Sequence, residues 1–204
     1  MKTYTMTKVS GQPDWSKIPV IALDEPYKTD MDEIPVRAWA QVAYNDEALL
    51  IREWAKEPNI RKEQFGLLDQ ICDDSCLEFF FCPMEEDQRY FNIEFNPNAC
   101  RFLGFGSGIQ DFVRLIPDSD NDEFRPKAVE TEDGWELTYQ IPYHFIRRFF
   151  PNFDLTPGKA IRANCYKCGD KTVQKHWLTW CPVEPLPTGG SFHQPKYFGR
   201  MIFG

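Results

Sequence analysis

The chain has no run of about twenty apolar residues, so no segment is built to cross a membrane as a helix. Clustered Lys and Arg are missing as well: 23 basic residues stand against 31 acidic ones, for a net charge of −8. A nucleic-acid surface needs the opposite balance, so that class of partner is excluded. The opening segment, M-K-T-Y-T-M-T-K, lacks the apolar core of a secretory signal. The seven cysteines, at 72, 76, 82, 100, 165, 168 and 181, form an odd set without the spacing of a secreted disulfide framework. With the missing signal, this predicts reduced thiols and a cytoplasmic location. Three histidines are too few, and too far from any nucleophile pattern, to suggest a hydrolytic centre. Sustained helical periodicity is absent, and nothing in the sequence sets an oligomeric state.

What is present is period-two alternation and aromatic mass. Aromatic residues make up 15% of the chain, 17 of them Phe, enough for a large core without invoking a ligand. Strands are predicted over Val36–Tyr44, Ala48–Trp54, Phe112–Ile116, Trp135–Ile141, Ala160–Lys167, His176–Val183 and Tyr197–Phe203. Residues 1–34 read as an extended lead-in with a short strand pinned by Trp15. A helical turn is expected around Ile60–Gln64, and Pro142 is expected to open one short helix through Phe149. Short strands joined by Pro and Gly turns predict a single all-β domain over 1–204, a two-sheet antiparallel sandwich.

The most informative stretch is Asp73–Asn96. D-D-S-C-L-E-F-F-F-C and R-Y-F-N-I-E-F-N both alternate, with a polar break between them, which predicts a hairpin. Keeping the apolar faces together sets Phe81 opposite Phe91 and Phe79 opposite Ile93. Glu78 then faces Glu94, and Asn92 faces Phe80. Like charges directly across a ladder destabilise it. Either the face is wet and both carboxylates are solvated, or a cation, an Arg or a hydrogen-bonding ligand sits between them. Arg162 and Asn164, on the outward face of the 160–167 strand, have matching polarity, and Arg162 is the candidate to neutralise the pair.

Other clusters carry alternative chemistry. Cys165 and Cys168 resemble half of a zinc site, with Cys72 and Cys76 as the other half. Asp118, Asp120 and Asp122 alternate as in a calcium loop, although Glu123 stands where an EF-hand needs Gly. No cofactor is required; structural calcium at that acidic loop and zinc at the cysteines are the metal options. Late in the chain, His176, Trp180, Phe192 and His193 are candidate ligand contacts, with Phe192 as an exposed aromatic platform for a sugar ring.

The ordered set D-S-C-L-E-F-F-F, R-Y-F-N-I-E-F-N, G-W-E-L-T-Y-Q-I-P, R-A-N-C-Y-K-C-G-D and F-H-Q-P-K-Y-F-G resembles the family-nine carbohydrate-binding modules, in particular standalone bacterial proteins. The resemblance spans Trp39 to Phe203. It implies an immunoglobulin-like β-sandwich that binds the ends of glycan chains without catalysis. It also implies sugar hydrogen bonds from Glu78, Asn92 and Glu94. In such modules two Trp side chains sandwich the sugar; Phe192 and Cys72 stand at those positions here, with Phe65 or Trp54 as possible substitutes for the second. The expected partner is therefore a carbohydrate. The alternatives are a glycoside hydrolase using Glu78 and Glu94, whose cross-strand spacing suits a retaining pair, or a sandwich whose sugar site has been lost or repurposed.

Overall fold

The structure, a computed structural model, describes residues 1–27, 33–116, 122–187 and 192–204. The alternating segments form strands, in chain order β1 (Thr3–Lys8), β2 (Ile21–Ala22), β3 (Glu25–Pro26), β4 (Arg37–Tyr44), β5 (Ala48–Lys56), β6 (Cys76–Cys82) and β7 (Tyr90–Phe95). They continue as β8 (Arg101–Gly106), β9 (Val113–Arg114), β10 (Lys127–Thr131) and β11 (Gly134–Pro142). The α-helix α1 (Tyr143–Phe149) follows, then β12 (Ala160–Gly169), β13 (His176–Thr179) and β14 (Gly199–Phe203). No helix among the described residues is long and apolar enough to cross a membrane.

The fold is all-β with one short helix, and its strands form one curled sheet in the order β10-β11-β5-β4-β1-β14-β12-β6-β7-β8-β9. The sheet is mixed rather than wholly antiparallel. β1 pairs parallel with β14 through Thr3–Met6 and parallel with β4 through Thr7 and Lys8, joining the two halves. Its pattern explains the placement: Tyr4 and Met6 are buried while Thr3 and Thr5 are exposed.

Curling brings inward faces from both halves onto one core. Val42, Leu49, Ile51 and Leu137 meet Phe79, Phe81, Ile93, Cys165 and Met201 there. Trp135, Leu137, Tyr139 and Ile141 of β11 all point inward, as their alternation requires. α1 covers one end with Phe145 and Ile146. Pro142 caps this helix from an extended conformation (φ −65°, ψ 140°) instead of lying in its first turn.

The β6–β7 register is the one expected: Phe81 opposite Phe91, Phe79 opposite Ile93, Glu78 opposite Glu94 and Phe80 opposite Asn92. The helical turn expected at Ile60–Gln64 does not form. A 3₁₀ turn at Ile71–Asp73 occurs instead, with Ile71 buried beneath it. Trp15 lies in a second such turn and packs beside Ile18, Ala43, Ala48 and Leu50, away from the main core.

Candidate functional site

The outward face of β12-β6-β7-β8 is not wet. It carries a second apolar cluster of Phe80, Tyr90, Tyr166, Phe192, Phe198 and several cysteines, into which the polar residues of the hairpin are set. Glu78, Asn92 and Glu94 are all buried. Asn92 Nδ2 donates to Glu94 Oε1 at 2.9 Å, while the buried Asn92 Oδ1 has no hydrogen-bond partner. Burial pushes the Glu94 carboxyl up to about 7, opposed by the hydrogen bond from Asn92. Burial first, and the facing Glu94 second, drive the Glu78 carboxyl well above the usual carboxylate range. The like-charge pair is thus relieved by a proton held on Glu78.

Arg162 does not relieve it. Along β12 it is Tyr166 that stands opposite Glu78, whereas Arg162 stands opposite Cys82, four residues away. The Arg162 guanidinium donates to the carbonyls of Glu85 at 3.1 Å, Asp87 at 2.6 Å and Pro195 at 2.9 Å. It ties the hairpin turn to the loop before β14. Asn164 is also committed: its Oδ1 accepts from the amides of Cys165 and Cys181, and its Nδ2 donates to the Cys181 carbonyl.

Of the late residues, His193 joins the face and two others do not. His193 Nδ1 lies 2.7 Å from the Tyr90 hydroxyl, and its ring meets Phe80 and Phe112. Burial pushes its pKa down to about 4, so the ring is neutral at physiological pH. Trp180 packs in the main core instead. His176 lies on the inward side, in a buried ionic cluster. Lys167 Nζ sits 2.7 Å from His176 Nε2 and 3.1 Å from Glu57 Oε2, and Ser75 Oγ and Trp135 Nε1 donate to the same carboxylate. The Lys167 ammonium can only donate, so His176 Nε2 accepts and Nδ1–H donates to the Gln174 carbonyl at 2.7 Å.

Phe192 is not an exposed platform. Its ring stacks on Tyr166 at 4.2 Å between centroids and meets the edge of Tyr27, leaving it 9% exposed. The half-exposed aromatics of this face are Phe102, Phe112 and Trp177. Phe112 lies parallel to Phe102 and sits over Gly104, which stands opposite Asn92; a methyl at 104 would come 2.0 Å from Phe112 Cε1. Trp177 Nε1 donates to Asp170 Oδ1 at 2.6 Å. Phe112 could have been found from β8 itself, where Gly104 and Gly106 alternate on one face and leave a seat for a ring.

The two metal expectations also change. Asp118 and Asp120 lie outside the described residues. Asp122 is engaged by Arg101 at 2.9 Å and by the Phe124 amide at 3.0 Å, which leaves it poorly placed as a calcium ligand. Cys165 points into the main core, away from Cys76 and Cys168, so the four-cysteine zinc site does not assemble. All seven cysteines are unpaired.

The sequence profile of carbohydrate-binding family 9 matches residues 14–203. No curated protein matches the chain in sequence. Among solved structures, a candidate carbohydrate-binding protein from Bacteroides uniformis ATCC 8492 has a TM-score of 0.79 at 24% identity, over 100% of this chain and 99% of that one. A family 9 module from Caldicellulosiruptor kristjanssonii gives 0.68 in its complex with cellotriose and 0.69 with glucose, both at 12% identity. Those matches cover 99% and 100% of this chain and 93% and 96% of the module.

Proposed function

The chain belongs to carbohydrate-binding family 9, and from that premise we propose that it binds a small saccharide or a glycan chain end, without catalysis, on the outward face of β6, β7 and β8. The observation that carries this reading is the buried, unpartnered Asn92 Oδ1, two residues from Glu94 and on the same face as the Glu78–Glu94 pair. A buried acceptor left unpaired costs about 1–3 kcal/mol. Vicinal sugar hydroxyls supply what the trio needs, because each can donate to Asn92 or Glu94 while accepting from a protonated Glu78. Phe112 and Trp177 are the aromatic surfaces against which sugar C–H groups pack, with His193 at the rim through its bond to Tyr90. We read the two halves of the curled sheet as the layers of an immunoglobulin-like sandwich, and the whole chain as one binding domain. The unpaired thiols support a reducing, cytoplasmic setting.

The Caldicellulosiruptor module was solved with cellotriose and with glucose, so glucose-configured saccharides are the first ligands to test. Calorimetric titration with cellotriose should show one site per chain. Asn92→Ala should weaken it roughly tenfold or more, since 1.4 kcal/mol is a factor of ten. Binding of neither cellotriose, glucose nor any member of a glycan panel would overturn the proposal. Turnover of a chromogenic glycoside, lost in Glu78→Gln, would favour the hydrolase instead.

A further inference from the structure

We infer that Cys76, Glu78 and Cys168 form a binding site for a thiophilic divalent cation of the zinc class. Cys76 and Cys168 are direct cross-strand partners in the antiparallel β6–β12 ladder. Glu78 lies two residues along β6 and therefore on the same face. The fold brings the two sulfurs and a carboxylate oxygen within 4.8 Å of one another, all in buried side chains. Tetrahedral zinc, with bonds of about 2.3 Å to sulfur and about 2.0–2.2 Å to oxygen, sets its donors roughly 3.5 Å apart. Small rotations of three side chains on rigid strands reach that spacing.

The surroundings favour a cation over a purely structural thiol pair. Cys168 Sγ lies within 4.8 Å of both Cys76 Sγ and a Glu78 carboxylate oxygen, so the three donor atoms already face one another. Glu94, across the ladder from Glu78, and Asp170, two residues beyond Cys168, are further acidic groups nearby. Cys72, at the edge of the cluster, places its carbonyl 3.7 Å from Cys168 Sγ. Two thiolates and one carboxylate match the mixed soft and hard donors that zinc accepts, and they leave a fourth position for water or a hydroxyl group. On binding, each thiol releases its proton to solvent as its sulfur bonds the cation, and the Glu78 carboxyl gives up the proton it holds, with no change of oxidation state.

Cys76 and Cys168 take no part in the saccharide reading, which keeps the two proposals separable. The reduced, metal-free chain is titrated with Cd²⁺, whose bonds to thiolate absorb in the ultraviolet. The expected result is one Cd²⁺ per chain, displaced by Zn²⁺ and accompanied by release of three protons, two from the thiols and one from Glu78. The absorption should be lost in Cys76→Ser and in Cys168→Ser, and Glu78→Gln should weaken binding at least tenfold. Cellotriose binding by the two serine variants should persist. If either serine variant fails to fold, the cadmium NMR resonance of the wild-type chain decides: a position typical of two thiolates supports the site. One typical of oxygen ligands alone, or of three or four thiolates, overturns it. No thiolate–Cd²⁺ absorption in the reduced wild type, or an unchanged band in both folded serine variants, also overturns it.

Discussion

Phe192 lies flat on Tyr166, their ring centroids 4.2 Å apart and their planes 17° from parallel. Tyr166 in turn stands opposite Glu78 on the neighbouring strand, so Phe192 roofs the aromatic cluster beside the polar trio. Offset-stacked rings gain about 0.5–1.5 kcal/mol beyond the area they bury. Phe192→Ala is therefore expected to destabilise the fold by about 3 kcal/mol, comparable to a core deletion such as Phe79→Ala. Urea unfolding of both variants checks this. Normal stability of Phe192→Ala with weakened sugar affinity would restore Phe192 as a platform.

Glu53 predicts a pH dependence. It is buried in the main core, where Tyr139 donates to its Oε2 at 3.1 Å and its Oε1 has no partner. Burial pushes its pKa from 4.5 to about 8. The folded value lies above the unfolded one, so the protonated side chain contributes its full stability below about pH 4.5. That contribution is lost as pH rises through about 8. Each pKa unit is worth about 1.4 kcal/mol, which makes the full loss on the order of 5 kcal/mol. Glu53→Gln keeps the shape without the titration. Its stability should match wild type near pH 4 and exceed it near pH 8, measured by unfolding at both pH values. Glu78 and Glu94 leave the variant a residual slope of the same sign, and equal slopes for variant and wild type would refute the assignment.

The inward ionic cluster gives a prediction of opposite character. Lys167 is fully buried and holds both Glu57 and His176. Removing one partner of a buried ion pair costs about 3–5 kcal/mol, because the other charge is left uncompensated. Lys167→Met should lose about that much stability while retaining cellotriose affinity, since the cluster faces away from the sugar site. A folded Lys167→Met chain that no longer binds cellotriose would return His176 to the binding site.

Register and face were legible in the sequence because a period of two leaves little freedom once one face must be buried. The β6–β7 hairpin follows directly from L-E-F-F-F and Y-F-N-I-E-F, and with it the meeting of Glu78, Asn92 and Glu94. Parity alone does not say how far along a strand a partner falls. That is why Arg162, on the correct face, sits four residues from the glutamate it was expected to neutralise. His176 and Trp180 were misplaced for a related reason. Trp177 and Thr179 take the outward face of β13, so the alternate residues must point inward, and nothing in their composition signals that choice. Lys167 did carry a signal: it continues the inward series Ile161, Ala163, Cys165, and a lysine there demands a buried partner. The parallel placement of β1 had none, since alternation marks a strand but not the direction of its neighbour.

Gly104 and Phe112 give the sharpest test of the site. A methyl group at 104 would lie 2.0 Å from Phe112 Cε1 and 2.1 Å from Cζ, both at the far end of a half-exposed side chain. The ring can swing away, so Gly104→Ala should fold with a stability loss of about 1 kcal/mol, the scale of an ordinary substitution. If Phe112 packs against the sugar, displacing the ring has the same effect as deleting it. Gly104→Ala and Phe112→Ala should then each weaken cellotriose binding by about tenfold, or ~1.4 kcal/mol. The double variant should bind no worse than either single one, because the methyl group's closest contacts are with that ring, Phe102 Cε1 lying farther off at 2.9 Å. Calorimetry on the four proteins closes the cycle. A double variant weakened by about a hundredfold would mean that the two residues act independently, and Phe112 would not be the sugar's aromatic surface.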